Sequence, residues 1–282
     1  MKYRTSPLVS TSWLQSNLGS SDLRILDASW YLPDAGRHPL NEYLNGHIPG
    51  ANFFDLESFS DKDNELPHMV PMAESFAAGI SELGISNEHR VVVYDGAGLF
   101  SAARIWWLFY LFGKKDVSIL DGGLLKWLKE GRPTTLDIPN FDKTSFVVEK
   151  DLRILCDLNE VKLASEMGLA QIIDARSPKR FHGLEAEPRP NLRSGHIPKS
   201  KNIWYEELLN SDKTFKELPI IRELFETKGI DLSKPVITTC GSGVTAAILF
   251  LALEMLKVRK VSLYDGSWSE WGMRAELDLE TD

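Results

Sequence analysis

Four landmarks in the first half of this 282-residue chain recur in the second half at nearly constant spacing. Asp27, ending the run Leu23-Arg24-Ile25-Leu26, is answered by Asp174 after Ile172-Ile173. His47 of Gly46-His47-Ile48-Pro49 is answered by His196 of Gly195-His196-Ile197-Pro198. Asp95 after Val91-Val92-Val93-Tyr94 is answered by Cys240 after Val236-Ile237-Thr238-Thr239, and Trp127 by Trp271. The separations all lie between 144 and 149 residues. Unrelated landmarks at a shared offset mean one structural unit written twice. Within each copy, β-branched runs of strand length alternate with apolar stretches of helical length. That alternation predicts an α/β fold in which each copy is a mainly parallel sheet flanked by helices.

The chain is long enough for two domains of about 140 residues, each able to bury its own core. The join is expected between Gly131 and Asp151, where Arg132-Pro133 and Ile138-Pro139-Asn140 break the periodicity. The predicted division is therefore residues 1–135, a linker over 136–150, and a second domain over 151–282. In the first copy Val9 to Leu18 reads as a short amphipathic stretch and Leu23 to Ala28 as a strand. Val91 to Asp95 reads as a buried strand, Gly96-Ala97-Gly98 as a turn, and Ser101 to Phe112 as a helix closed by Gly113. Val117 to Leu120 is a further strand, followed by Asp121-Gly122-Gly123 and a helix from Leu124 to Glu130.

Composition removes several function classes. A net charge of −8 opposes a general nucleic-acid or anionic-membrane surface. The longest apolar runs, Ile105 to Phe112 and Ala246 to Leu253, fall far short of the ~20 residues that cross a bilayer. Met1 to Pro7 carries charges with no apolar core after them, unlike a secretory signal. Only two cysteines occur, Cys156 and Cys240, which argues against a disulfide framework and fits a cytoplasmic, reducing setting.

Cys240 has the more informative surroundings. A β-branched strand ends on it, Gly241-Ser242-Gly243-Val244-Thr245 follows, and an apolar helix runs from Ala246 to Leu256. Glycines in such a turn let successive backbone N–H groups point inward, and the helix behind them adds the positive end of its dipole. Both effects favour thiolate over thiol, and the thiolate is the nucleophile. A lone cysteine at a strand end is also a common small core residue. Two glycines straight after it would then serve no purpose, since each costs backbone entropy. Cys156 lacks such a turn and reads as structural.

The repeat supplies an internal control, because the first copy holds Asp95 where the second holds Cys240. A carboxylate cannot attack sulfur, so the first domain is expected to be catalytically silent. In parallel sheets ligands bind beyond the carboxyl ends of the strands, where Cys240 would lie.

With Gly-His-Ile-Pro in each half and Cys240-Gly241-Ser242-Gly243-Val244-Thr245 in the second, nearly the whole chain resembles the tandem rhodanese-domain sulfurtransferases. The resemblance implies two tandem rhodanese-like domains and no cofactor. The neutral loop is similar to that of the branch acting on 3-mercaptopyruvate, whereas thiosulfate enzymes of the family typically place cations just after the cysteine. It further implies that Arg180 and Arg189 bind the substrate together with the loop residues Gly241, Ser242, Gly243, Val244 and Thr245. Planar guanidiniums suit an α-keto carboxylate, although both arginines could instead pair with Glu185 and Glu187. A relay of Ser242, His68 and Glu57 is implied as support for Cys240, with Glu57 standing where some relatives have Asp. His68, beside Pro67 and Pro71, can equally be a structural histidine. The reaction implied passes sulfur through a Cys240 persulfide to a thiol acceptor such as thioredoxin or a small thiol, or to cyanide.

Rival readings are thiosulfate–cyanide transfer, a phosphatase, and a binding module that keeps only the fold. A phosphatase loop needs an arginine after five intervening residues, and position 246 is Ala246. A binding module would have lost its cysteine, as the first half has. The histidines show no metal-ligand spacing, so no metal is expected.

Overall fold

The computed structural model describes residues 6–281. Met1 to Thr5, most of the stretch read above for a leader, and Asp282 lie outside them. The chain divides into two compact units. The first comprises the residues up to Lys62, Val70–Asp151 and Asn210–Phe215. The second comprises Asp63–Met69, Leu152–Leu209 and the residues from Lys216 onward.

The first unit runs β1 (Leu8–Val9), α1 (Thr11–Asn17), β2 (Leu23–Asp27), α2 (Pro39–Asn45), β3 (Ala51–Phe53), α3 (Ala73–Glu82), β4 (Arg90–Tyr94), α4 (Ala102–Leu111), β5 (Val117–Leu120) and α5 (Gly123–Lys129). Its five strands pair in parallel in the order β1-β5-β4-β2-β3. Val91, Val92 and Val93 of the central β4 are all buried, which is why that strand is continuously apolar rather than alternating. Helix α4 buries every residue but Tyr110.

The second unit repeats the plan with β6 (Leu155–Cys156), α6 (Leu158–Met167), β7 (Gln171–Asp174), α7 (Pro178–Phe181), β8 (Lys201–Asn202), α8 (Leu218–Thr227), β9 (Val236–Thr239), α9 (Ala246–Met255), β10 (Val261–Tyr264) and α10 (Ser267–Trp271). Its strand order, β6-β10-β9-β7-β8, is that of the first unit element for element, again wholly parallel. Helix α9 buries everything from Ala246 to Leu253. Each fully buried Leu, Ile or Phe there contributes about 1.5–3 kcal/mol, so the segment behind the Cys240 turn is among the firmest in the unit.

The duplicated landmarks do duplicated work. His47 stacks on Tyr43 at 4.0 Å and bridges to Thr135, while His196 stacks on Phe181 at 3.7 Å and bridges to Glu280. Trp127 donates its indole N–H to Pro133 O at 2.8 Å, and Trp271 to Asp278 O at 2.9 Å. In both copies these residues latch the tail of the repeat onto its core, a structural role.

Three local readings change. Val9 belongs to a strand, paired with Leu120, and the helix after it starts at Thr11 because Ser10 Oγ accepts the Trp13 N–H at 3.1 Å. Residues 136–150 form no helix or strand, yet they pack on the first unit rather than standing free as a linker. Phe146 is buried, Thr144 N–H reaches Ser81 O at 3.0 Å, and Arg24 lies 4.1 Å over the Phe141 ring. Finally, the units are not contiguous in sequence, since Asp63–Met69 packs with the second and Asn210–Phe215 with the first.

Candidate active site

Strand β9 ends at Thr239 and delivers Cys240 to the carboxyl end of its sheet, 2 % exposed. The turn from β10 into α10 holds it there. Cys240 N–H donates to Ser267 Oγ at 3.2 Å, Cys240 O accepts from Trp268 N–H at 2.9 Å, and Gly241 O accepts from both the N–H (2.8 Å) and the hydroxyl (2.6 Å) of Ser269. The turn then passes through Gly243 at φ +75, a conformation open to glycine without strain. Among the described residues the backbone N–H groups of Gly241 through Thr245 meet no protein acceptor. Since buried amides are nearly always paired, this ring is built for an anion that the protein does not itself provide, with α9 starting directly behind it.

Arg180 lies against the ring. A Cβ added at Gly241 would stand 2.9 Å from its terminal nitrogen, so glycine at 241 is what lets the guanidinium approach. Its position is fixed from behind by Glu187, which accepts from Nε at 3.2 Å and from the terminal nitrogen at 2.5 Å. Glu187 also takes Arg176 at 2.7 Å, and Arg176 in turn grips Asp174 at 2.6 Å and Gly195 O at 2.8 Å. Arg176, Asp174 and Glu187 are essentially inaccessible, whereas the Arg180 side chain is 15 % exposed. One buried and one partly exposed cation are satisfied by two buried anions, and such a network holds only with this geometry. It leaves the outer face of Arg180 to a ligand.

His68 is buried, and its Nδ1 lies 2.9 Å from Ser242 Oγ. Its backbone is left-handed, φ +60, a strained state for a non-glycine residue and a mark of functional sites. Cys240, the loop residues, Ser242, His68 and Arg180 are thus brought together within the second unit. Arg189 is half-buried two residues beyond Glu187 in the same unit. Glu57 belongs to the first unit, where it is exposed and accepts the Trp30 indole N–H at 2.9 Å.

Cys156 is also buried, and desolvation followed by the nearby Glu160 carboxylate pushes its thiol well above the ordinary value. It is therefore a poor nucleophile. Sequence reasoning noticed Glu187 only as a surface ion-pair partner and missed Arg176 altogether. The signal was available: at the offset that pairs Asp27 with Asp174, Arg176 faces Ser29, a change of chemistry next to a conserved-in-repeat aspartate.

Comparison with known proteins follows the same outline. A family model described as Rhodanese-like domain matches residues 10–130 and again 157–274. The chain is 43 % identical over 279 residues to a 3-mercaptopyruvate sulfurtransferase of Escherichia coli K12, covering 98 % of each. It is equally 43 % identical to an Arabidopsis thaliana protein named thiosulfate/3-mercaptopyruvate sulfurtransferase 1, mitochondrial, covering 98 % of this chain and 79 % of that one. The crystal structure of SseA from Escherichia coli, described as showing the rhodanese fold of 3-mercaptopyruvate sulfotransferases, matches with a TM-score of 0.86 at 40 % identity, covering 94 % of this chain and 99 % of that one.

Proposed function

The chain belongs to the rhodanese-like domain family, and on that premise we propose that it is a sulfurtransferase taking sulfur from 3-mercaptopyruvate by way of a Cys240 persulfide. The observation that carries this reading is the ring of unpartnered amides around Cys240 with Arg180 held against it. The Cys240 thiolate attacks the substrate sulfur, an S–S bond forms, and the C–S bond breaks with its electron pair passing to carbon as the enolate of pyruvate. A proton then converts the enolate to pyruvate, and Cys240 is left carrying the outer sulfur. A thiol acceptor takes that sulfur in a second step and restores the thiolate, which makes the kinetics ping-pong.

Each side chain has a part in this scheme. Arg180 and Arg189 clamp the substrate carboxylate, and the amides of Gly241, Ser242, Gly243, Val244 and Thr245 stabilise the charge that shifts during transfer. Ser242 and His68, hydrogen-bonded to each other, relay the proton to the enolate. The resemblance assigns Glu57 the acid's place in this relay. The second unit is the catalytic domain and the first, with Asp95, is silent. The acceptor is thioredoxin, a small thiol or cyanide. Among the described residues no helix is long and apolar enough to cross a membrane, and both cysteines are free, which supports work in a reducing compartment, the cytoplasm.

Mixing the protein with 3-mercaptopyruvate and weighing it by mass spectrometry tests the proposal: Cys240 should gain one sulfur while pyruvate is released in equal amount. No gain at Cys240 overturns it. Thiosulfate is a second candidate donor, supported by the name of the Arabidopsis relative. Faster turnover of thiosulfate than of 3-mercaptopyruvate at equal concentration would reverse the order of the two.

A further inference from the structure

We propose that Ser267 is a positioning residue whose hydroxyl fixes the Cys240 backbone so that the thiolate sits within the amide ring; this rests on the sulfurtransferase reading. Ser267 is wholly buried at φ +50. Left-handed backbone disfavours any residue with a Cβ, and serine gains no relief there from its short side chain alone. An observed strain of this kind calls for a compensating task. The side chain shows one: Oγ accepts the Cys240 N–H at 3.2 Å and donates to Tyr264 O at 2.8 Å, tying the end of β10 to the first atom of the catalytic residue.

The silent repeat isolates what the hydroxyl does. Val117-Ser118-Ile119-Leu120-Asp121-Gly122-Gly123-Leu124 aligns without a gap on Val261-Ser262-Leu263-Tyr264-Asp265-Gly266-Ser267-Trp268. The two turns share their main bond, since Leu124 N–H donates to Asp95 O at 3.0 Å as Trp268 N–H donates to Cys240 O at 2.9 Å. Gly123 takes φ +54, nearly the value of Ser267. A Cβ there would lie 2.6 Å from both Asp95 O and Gly98 O, so the first turn admits no side chain at all. The second turn has been opened to admit one, and the residue admitted is a hydrogen-bonding serine in a conformation that glycine would hold more easily. Backbone stability does not account for that choice. Holding Cys240 does, because a misplacement of the nucleophile by about 1 Å can cost about a hundredfold in rate.

Two variants separate the two roles in opposite directions. Ser267→Gly keeps the preferred backbone and removes the hydroxyl. Its thermal midpoint should stay within a few degrees of the parent, while kcat falls about tenfold or more and KM for 3-mercaptopyruvate changes less than about twofold, since the carboxylate clamp is untouched. Ser267→Thr keeps the hydroxyl at greater backbone strain, so it should melt lower and yet retain more kcat per folded molecule than Ser267→Gly. Parent-like kcat in Ser267→Gly, or equal kcat in both variants, overturns the proposal. The pH profile of Cys240 alkylation by iodoacetamide reads the same positioning without any sulfur donor. It should move to higher pH in Ser267→Gly, and an unmoved profile overturns the proposal. A parent that alkylates at Cys240 but releases no pyruvate would refute the sulfurtransferase reading alone, leaving the alkylation profiles to judge Ser267.

Discussion

The turn after β4 and the turn after β9 have the same backbone plan and opposite fillings. In the first, the Asp95 carboxylate occupies the ring itself, accepting from Ala97 N–H at 2.9 Å, Phe100 N–H at 2.7 Å and Ala102 N–H at 2.9 Å. The amide of Gly96 is taken as well, by Ser29 Oγ at 2.8 Å. In the second, Cys240 replaces the carboxylate, and Arg176 stands where Ser29 does, so the Gly241 amide stays available. One turn is satisfied from within and the other is left for a ligand. A guanidinium accompanies each: Arg37 near Gly96, gripped by Glu42 at 2.8 Å, and Arg180 near Gly241, gripped by Glu187. The arginine and its carboxylate are therefore part of the duplicated scaffold, and the two turns differ in whether the ring is filled from within.

The most severe way to break the comparison is to fill the second ring as the first is filled. Cys240→Asp should fold normally and lose at least about 10,000-fold in pyruvate release, because the carrier is gone and the amides are taken. Adding Asp95→Cys to the Cys240→Asp variant should not restore pyruvate release in the same assay, since Ser29 still holds the Gly96 amide.

A milder change targets the support of Arg180. Glu187→Gln removes a buried carboxylate between two guanidiniums. It should raise KM for 3-mercaptopyruvate about tenfold and cost about 1–3 kcal/mol in urea unfolding. A KM unchanged by this substitution would mean that Arg180 does not meet the substrate.

The paired aspartates differ in a way that pH can read. Burial, with the nearby Asp95 charge adding to it, raises Asp27 to about 6 against the bonds from Ser29. A carboxyl raised on folding stabilises the fold below its unfolded value near 4, and that stability is lost as pH rises through 6. Asp27→Asn should flatten this decline between pH 4 and 6 and stabilise the chain at neutral pH by roughly 1–3 kcal/mol, measured by denaturant titration at several pH values. Asp174 has the Arg176 guanidinium beside it at 2.6 Å, so Asp174→Asn should instead destabilise at neutral pH.

The smallest effect is expected at Glu57. Glu57→Gln should lower kcat about two- to fivefold with KM unchanged, the mark of a supporting acid rather than of the base itself. A kcat equal to the parent's would remove Glu57 from the relay.

Much of this is legible in the sequence. Periodicity and the repeat determined two copies of a mainly parallel α/β sheet, because buried β-branched strands alternating with apolar helices of the right lengths leave few other arrangements. The turn Cys240-Gly241-Ser242-Gly243 announced an anion ring, since glycine spacing is a local property. The packing of residues 136–150 was not legible because its partners are distant: Phe141 and Phe146 look like scattered apolar residues until Arg24 and Ser81 are seen against them.

What the sequence determined by itself was whatever depends on neighbours along the chain: the duplication, the alternation of strands and helices, and the thiol at a glycine turn. Tertiary structure decided the rest. Only folding takes the segment Asp63–Met69 out of the first repeat's unit and sets His68 at 2.9 Å from Ser242. Only folding makes Glu187 a buried brace for Arg180 rather than a solvated ion pair, and gives a strained Ser267 its hold on Cys240. Burial and hydrogen-bond geometry are set by residues far apart in sequence, and they fix where the Cys240 side chain sits.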